Sequence, residues 1–104
     1  MSLSEIQKEV DEWINQFKIG YWTPHEIYLR LGEESGELAR VINRIYGPKP
    51  KKSDEEVHNL EEEIGDIIFT LCCLANSQNI KLDECFRMAL DKAYKRDNKR
   101  FEKK

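Results

Sequence analysis

Glycine and proline are scarce in this chain, with five and three among 104 residues. That scarcity argues against collagen-like and low-complexity architectures and leaves few places for the backbone to turn. Cysteine occurs three times: Cys72 and Cys73 are adjacent, and Cys85 sits in another apolar stretch. An odd count without metal-ligand spacing argues against a disulfide framework or a zinc site and reads as reduced, packed thiols. No apolar run is long enough to cross a bilayer. The opening MSLSEIQKEV lacks the apolar core of a signal peptide, so the expectation is a cytoplasmic protein with no membrane partner. An excess of basic charge is also missing. The net charge is −3, which argues against a dedicated nucleic-acid binder. Histidine is limited to His25, inside a capping box, and His58, near a helix start, and neither is expected to act in chemistry.

Hydrophobic residues make up 39% of the chain and charged residues 36%, the balance of a helical domain with a solvated outer face. Residues 1–104 are expected to form one domain, since a chain this size can bury roughly two-thirds of its extended surface. The turn-forming residues cut it into four helical segments and no convincing strand, so the predicted fold class is all-α, a four-helix bundle. The first helix runs from about Ser4 to Phe17, with Ile6, Val10, Trp13, Ile14 and Phe17 on one face. Thr23-Pro24-His25-Glu26 opens the second, with Thr as N-cap, Pro at the first helical position and Glu as capping-box partner. That helix should reach about Ile45, with Ile27, Leu31, Leu38, Val41 and Ile45 as its apolar stripe. Ser53 with Glu56 reads as a capping box for a third helix of roughly 25 residues, striped by Val57, Leu60, Ile64, Ile67, Leu71 and Leu74. From Ile67 to Ala75 only Thr70 is polar, so that helix needs cover on more than one side and an oligomer is implied. The fourth helix starts near Leu82 and ends in the charged run KRDNKRFEKK.

One acidic phrase is written twice. Glu33 to Glu37 reads EESGE, and Glu62 to Asp66 reads EEIGD. On the second helix Glu34 falls within the apolar stripe, with Glu37 about 60° round from it and Glu33 about 40° further. On the third, Glu63 and Asp66 are likewise three residues apart beside the stripe. A carboxylate in a core stripe is costly unless something neutralises it. Facing pairs of like charge at about 4 Å repel by around 4 kcal/mol each at an effective dielectric of 20. Clustered carboxylate oxygens suit a hard divalent ion, Mg²⁺ or Mn²⁺, whose remaining positions take substrate phosphates. Gly36 and Gly65 each precede the last acid of a phrase, and glycine there is expected to let the helices or a ligand approach closely.

With those residues in view, the chain resembles the MazG family of all-α nucleoside triphosphate pyrophosphohydrolases. The likeness rests on a Glu34–Glu37 pair followed 26 residues later by a Glu63–Asp66 pair, within LGEESGELARVIN and NLEEEIGDIIFTLCCLAN. It covers most of the chain from about Tyr21 and points to the small single-domain form. The resemblance implies a Mg²⁺-dependent hydrolase that splits a nucleoside triphosphate between its α- and β-phosphates, giving a monophosphate and pyrophosphate. It implies Glu34, Glu37, Glu63 and Asp66 as metal ligands and Glu33 as the residue that holds or deprotonates the attacking water. It also implies Lys92, Lys95 and Asn98 as phosphate-binding residues, and assembly as a dimer or a dimer of dimers.

Base recognition is less legible. Trp13, Phe17, Tyr21 and Trp22 precede the acidic helix, and Tyr21 and Trp22, in a loop, are better placed than Trp13 to stack on a base. The lysines of GPKPKK form a small basic patch, read as a solvated loop. Two alternatives stand beside the hydrolase. A di-iron or di-manganese carboxylate bundle pairs Glu with Glu-x-x-His, and no histidine follows Glu34 or Glu63 at that spacing. A non-catalytic helical oligomer that binds nucleotide or a protein partner is the other, but all four paired acids of the catalytic pattern are present.

Overall fold

A computed structural model describes residues 1–49 and 54–104. Its four helices are α1 (Leu3–Ile14), α2 (Pro24–Tyr46), α3 (Asp54–Ser77) and α4 (Leu82–Asp97), and among the described residues there is no strand. The capping box expected at Ser53 and the second half of the GPKPKK patch lie outside the described residues.

The caps follow local chemistry. The Thr23 hydroxyl accepts from the Glu26 N–H at 3.2 Å while the Glu26 carboxylate accepts from the Thr23 N–H at 3.1 Å, so two orphan donors at the start of α2 are satisfied reciprocally. Ser2 and Glu5 do the same for α1. α4 has no side-chain cap of its own; the Leu82 N–H donates instead to the Gln7 side-chain carbonyl of α1 at 2.8 Å. α1 ends three residues before the expected Phe17. Beyond Ile14 the bonding tightens to i→i−3, as in Phe17 N–H to the Ile14 carbonyl at 3.1 Å, and the chain turns. Phe17 therefore leaves the core face and packs edge-on to Trp13, ring centroids 5.1 Å apart.

α2 and α3 form the long central pair, and α1 closes one end of it. The core cluster at that end joins Val10 of α1, Ile27 of α2, and Cys72 and Cys73 of α3, with Ile6, Ile14, Tyr21, Leu74 and Leu82 around it. Burial pushes the Cys72 thiol up and holds Cys73 at about 11, so both are inert packing groups, whereas Cys85 is exposed rather than packed. Further along α2, Val41 and Ile45 are buried.

The bundle is not closed within one chain. α4 docks on α1, buries no residue completely, and leaves Phe86, Met88 and Tyr94 exposed. On α3, Ile64, Ile68 and Leu71 are also open, Ile68 at 44% of its full exposure. The radius of gyration is 16.9 Å, where a closed domain of this length has about 13 Å.

Candidate active site

The two acidic phrases face each other across the α2–α3 pair. Carboxylate oxygens of Glu34, Glu63 and Asp66 all lie within 4.8 Å of one another. Glu34 sits in the α2 stripe, and at 5% exposure it is the one buried acid of the cluster. Its charge is met on its own helix by Arg30, whose guanidinium lies 2.8 Å away and also reaches Glu33 at 3.3 Å. Glu37 is half-exposed and paired with Arg40 at 2.5 Å. Glu33 is exposed.

Among the described residues Glu63 has no such partner. Its Oε2 is buried and makes no hydrogen bond, and only as a protonated acid could Glu63 donate to Glu34. Burial, then that bond and the Glu34 charge, then Asp66 and Glu37, push the Glu63 carboxyl up to about 7. A buried carboxylate oxygen without a donor, beside two other acids, fits a hard divalent cation, which supplies the missing charge and accepts only oxygen ligands here. The site residues present suit such an ion.

A groove of about 570 Å³ runs over these acids, lined by Glu33, Glu34, Glu37, Glu63 and Asp66 with Arg30 and Arg40 at its sides. Gly36 also lines it, and a Cβ there or at Gly65 would meet nothing within 4 Å. Close helix approach within the chain therefore does not require these glycines; Gly36 leaves the groove floor bare. A second cavity of about 580 Å³ adjoins the groove. Trp13, Phe17 and Ile19 from the end of α1 and its turn, Trp22, and Phe69 of α3 wall it, and Arg30, Glu34 and Asp66 line both spaces. Trp13 stands edge-on to Phe69 with ring centroids 5.9 Å apart.

Tyr21 does not line this cavity. Its hydroxyl donates to Asp11 at 2.5 Å and accepts from the Asn76 amide at 3.0 Å, and Asn76 also donates to the Gln7 carbonyl at 2.9 Å. Burial and the Asp11 bond hold the phenol at about 12. Tyr21 thus ties the loop after α1 to α1 and α3. Gly20, with φ +63, lets the chain reverse beside it and present Ile19 and Trp22 to the cavity. Lys92, Lys95 and Asn98 are exposed on or just beyond α4 and line neither cavity. His58 pairs with Glu62 at 3.0 Å on the exposed side of α3. Arg30, Arg40 and Phe69 were not singled out from the sequence. The only sequence signal for Arg30 was its place four residues before Glu34.

Four helices, two of them carrying opposed acids over a groove with an aromatic cavity alongside, define an all-α protein with a cluster of carboxylates that could hold a metal ion. Comparisons with known proteins identify the family. The model of the MazG nucleotide pyrophosphohydrolase domain matches residues 22–101. The chain is 48% identical over 103 residues to the uncharacterized protein YpjD of Bacillus subtilis, covering 99% of this chain and 93% of that one. It is 33% identical over 100 residues to YvdC of the same organism, covering 85% and 92%. Its fold superposes on the crystal structure of YpjD with a TM-score of 0.81 at 50% identity, over 88% of this chain and 94% of that one. A Bacillus-conserved MazG protein, described as a nucleotide pyrophosphohydrolase, gives a TM-score of 0.78 at 41% identity, over 88% of each chain. The chain belongs to the MazG nucleotide pyrophosphohydrolase family, and is a hydrolase of nucleotide pyrophosphate bonds.

Proposed function

We propose that this protein hydrolyses nucleoside triphosphates between the α- and β-phosphates, with Mg²⁺ or Mn²⁺, and releases a monophosphate and pyrophosphate. The observation that carries this reading is the Glu34–Glu63–Asp66 cluster at the junction of the acidic groove and the aromatic cavity. A nucleotide has the same division: an apolar, stackable base at one end and a polyanion at the other. The base enters the aromatic cavity between Trp13 and Trp22, and the phosphates lie over the groove. Glu34, Glu63 and Asp66, with Glu37, would hold the cation, which would supply charge to offset that of the phosphates and of the departing pyrophosphate. Glu37, paired with Arg40 in the metal-free chain, would have to leave that arginine to join them. Glu33, exposed at the groove wall, accepts the proton of the attacking water. The water oxygen joins phosphorus as the bridging P–O bond breaks, and pyrophosphate leaves.

The 104 residues act as one domain, and a second copy covers the apolar faces of α3 and α4. A dimer or dimer of dimers in the cytoplasm is the form we assign. The test is pyrophosphate release from a panel of ribo- and deoxyribonucleoside triphosphates with Mg²⁺, Mn²⁺ or EDTA. Release that needs the metal supports the reading. No release from any triphosphate by protein that binds Mg²⁺ overturns it.

A further inference from the structure

The acidic groove and the aromatic cavity have three side chains in common, Arg30, Glu34 and Asp66. Arg30 is the one cationic side chain lining both among the described residues. A nucleotide lying with its base in the cavity and its β- and γ-phosphates over the groove must carry its α-phosphate past that junction. Two of the three groups there are carboxylates, which repel a phosphate. The third is a guanidinium, whose planar fork of donors matches phosphate oxygens. In the metal-free chain this guanidinium is engaged with Glu34 at 2.8 Å and Glu33 at 3.3 Å. Glu34 is also one of the three clustered acids that suit a divalent ion. A dication taken up by Glu34 competes with Arg30 for the same carboxylate charge.

Resting on the function proposed above, we infer that Arg30 contacts the α-phosphate of the bound nucleotide, and that in the metal-free protein the same guanidinium serves as counterion to Glu34. One residue then has two partners in turn. Its side chain is half-exposed, so it can swing without unpacking the core. The lysines of α4 line neither cavity and Arg40 lines the groove alone, so among the described residues Arg30 is the cationic contact at the junction itself.

A nucleoside and its monophosphate differ only in the α-phosphate, and this isolates the contact. Binding of the four deoxynucleoside monophosphates and of the matching nucleosides is measured with Mg²⁺ for wild type, Arg30→Lys and Arg30→Met. Arg30→Met weakens monophosphate binding about 10- to 100-fold, the factor that a hydrogen bond to a charged group carries, and leaves nucleoside binding unchanged. KM for the triphosphate rises in step. Arg30→Lys, which keeps the charge but loses the fork, falls between, and it carries the test where Arg30→Met does not fold. Calorimetric titration of the nucleotide-free proteins with Mg²⁺ gives binding at least as tight in Arg30→Met as in wild type, because a competitor for Glu34 is gone. Equal losses for nucleoside and monophosphate, or no loss for either, overturn the inference, as does weakened Mg²⁺ binding. Wild-type protein that releases pyrophosphate while Arg30→Met keeps full monophosphate affinity refutes this inference alone. Wild-type protein that releases none refutes the function and this inference with it.

Discussion

Substituting Glu63 by Gln should change the sign of its effect on stability when metal is added. The Glu34 and Glu63 oxygens lie within 4.8 Å, and at an effective dielectric of 20 two unit charges at that separation repel by about 3.5 kcal/mol. Glu63 is only partly shielded from water, which reduces the net cost to about 1–2 kcal/mol. Glutamine keeps the shape and removes the charge. At pH 8 in EDTA, Glu63→Gln is therefore expected to melt about 4–16 °C above wild type, taking about 4–8 °C per kcal/mol for a domain of this length. Saturating Mg²⁺ stabilises wild type by about 2.7 kcal/mol at a hundredfold excess over its dissociation constant. The variant lacks one of the clustered carboxylates and gains much less, so the order of melting temperatures reverses, while pyrophosphate release collapses. Thermal melts at matched protein concentration, with EDTA and with Mg²⁺, decide the matter. A metal-free variant that melts below wild type, or equal Mg²⁺ stabilisation of both proteins, would falsify the facing-carboxylate account.

The same group sets a pH dependence. Its folded pKa of about 7 is raised from 4.5, so its contribution to metal-free stability is complete below 4.5 and is lost as pH rises through 7. Melting temperature in EDTA should fall between pH 5 and 8 in wild type and less in Glu63→Gln; parallel profiles refute the assignment. Trp22→Ala should raise KM for the preferred triphosphate by roughly 5- to 100-fold through lost stacking, with a smaller change in kcat, and steady-state kinetics read the split. Tyr21→Phe leaves the Asp11 and Asn76 groups without their shared hydroxyl and should cost about 1–2 kcal/mol in stability. It should also raise KM, because the loop presenting Trp22 loosens; unchanged KM in a destabilised variant separates the strut from the cavity. Sedimentation of wild type should give a dimer or tetramer, and replacing Ile68 and Leu71 of α3 by Gln should shift it towards monomer.

The elements were readable because each follows from a short-range rule. Thr23, Pro24 and Glu26 announce α2 within four residues, and the stripe from Ile27 to Ile45 places Glu34 in the core face by periodicity alone. Periodicity fixes which face a residue occupies, not which partner reaches it. Glu34 and Glu37 form one acidic pair three residues apart, and both read as metal ligands by resemblance to the MazG family. In the fold Glu34 joins Glu63 and Asp66, while Glu37 is held by Arg40. Tyr21 makes the same point in a loop. It reads as a base-stacking aromatic beside Trp22, yet its hydroxyl meets Asp11, ten residues back, and Asn76, fifty-five residues on. A pairing over that distance leaves no spacing signal, and it turns Tyr21 into the tether while Trp22 becomes the wall. Arg30 carries no distinguishing sequence signal, since an arginine four residues before a glutamate is ordinary on any solvated helix. What distinguishes it is that its glutamate is buried and lies at the junction of two cavities, and both facts arise only when α3 packs against α2. The chemistry of the acidic phrases was thus legible as composition and phase. The division of labour among their charges is a product of helix pairing.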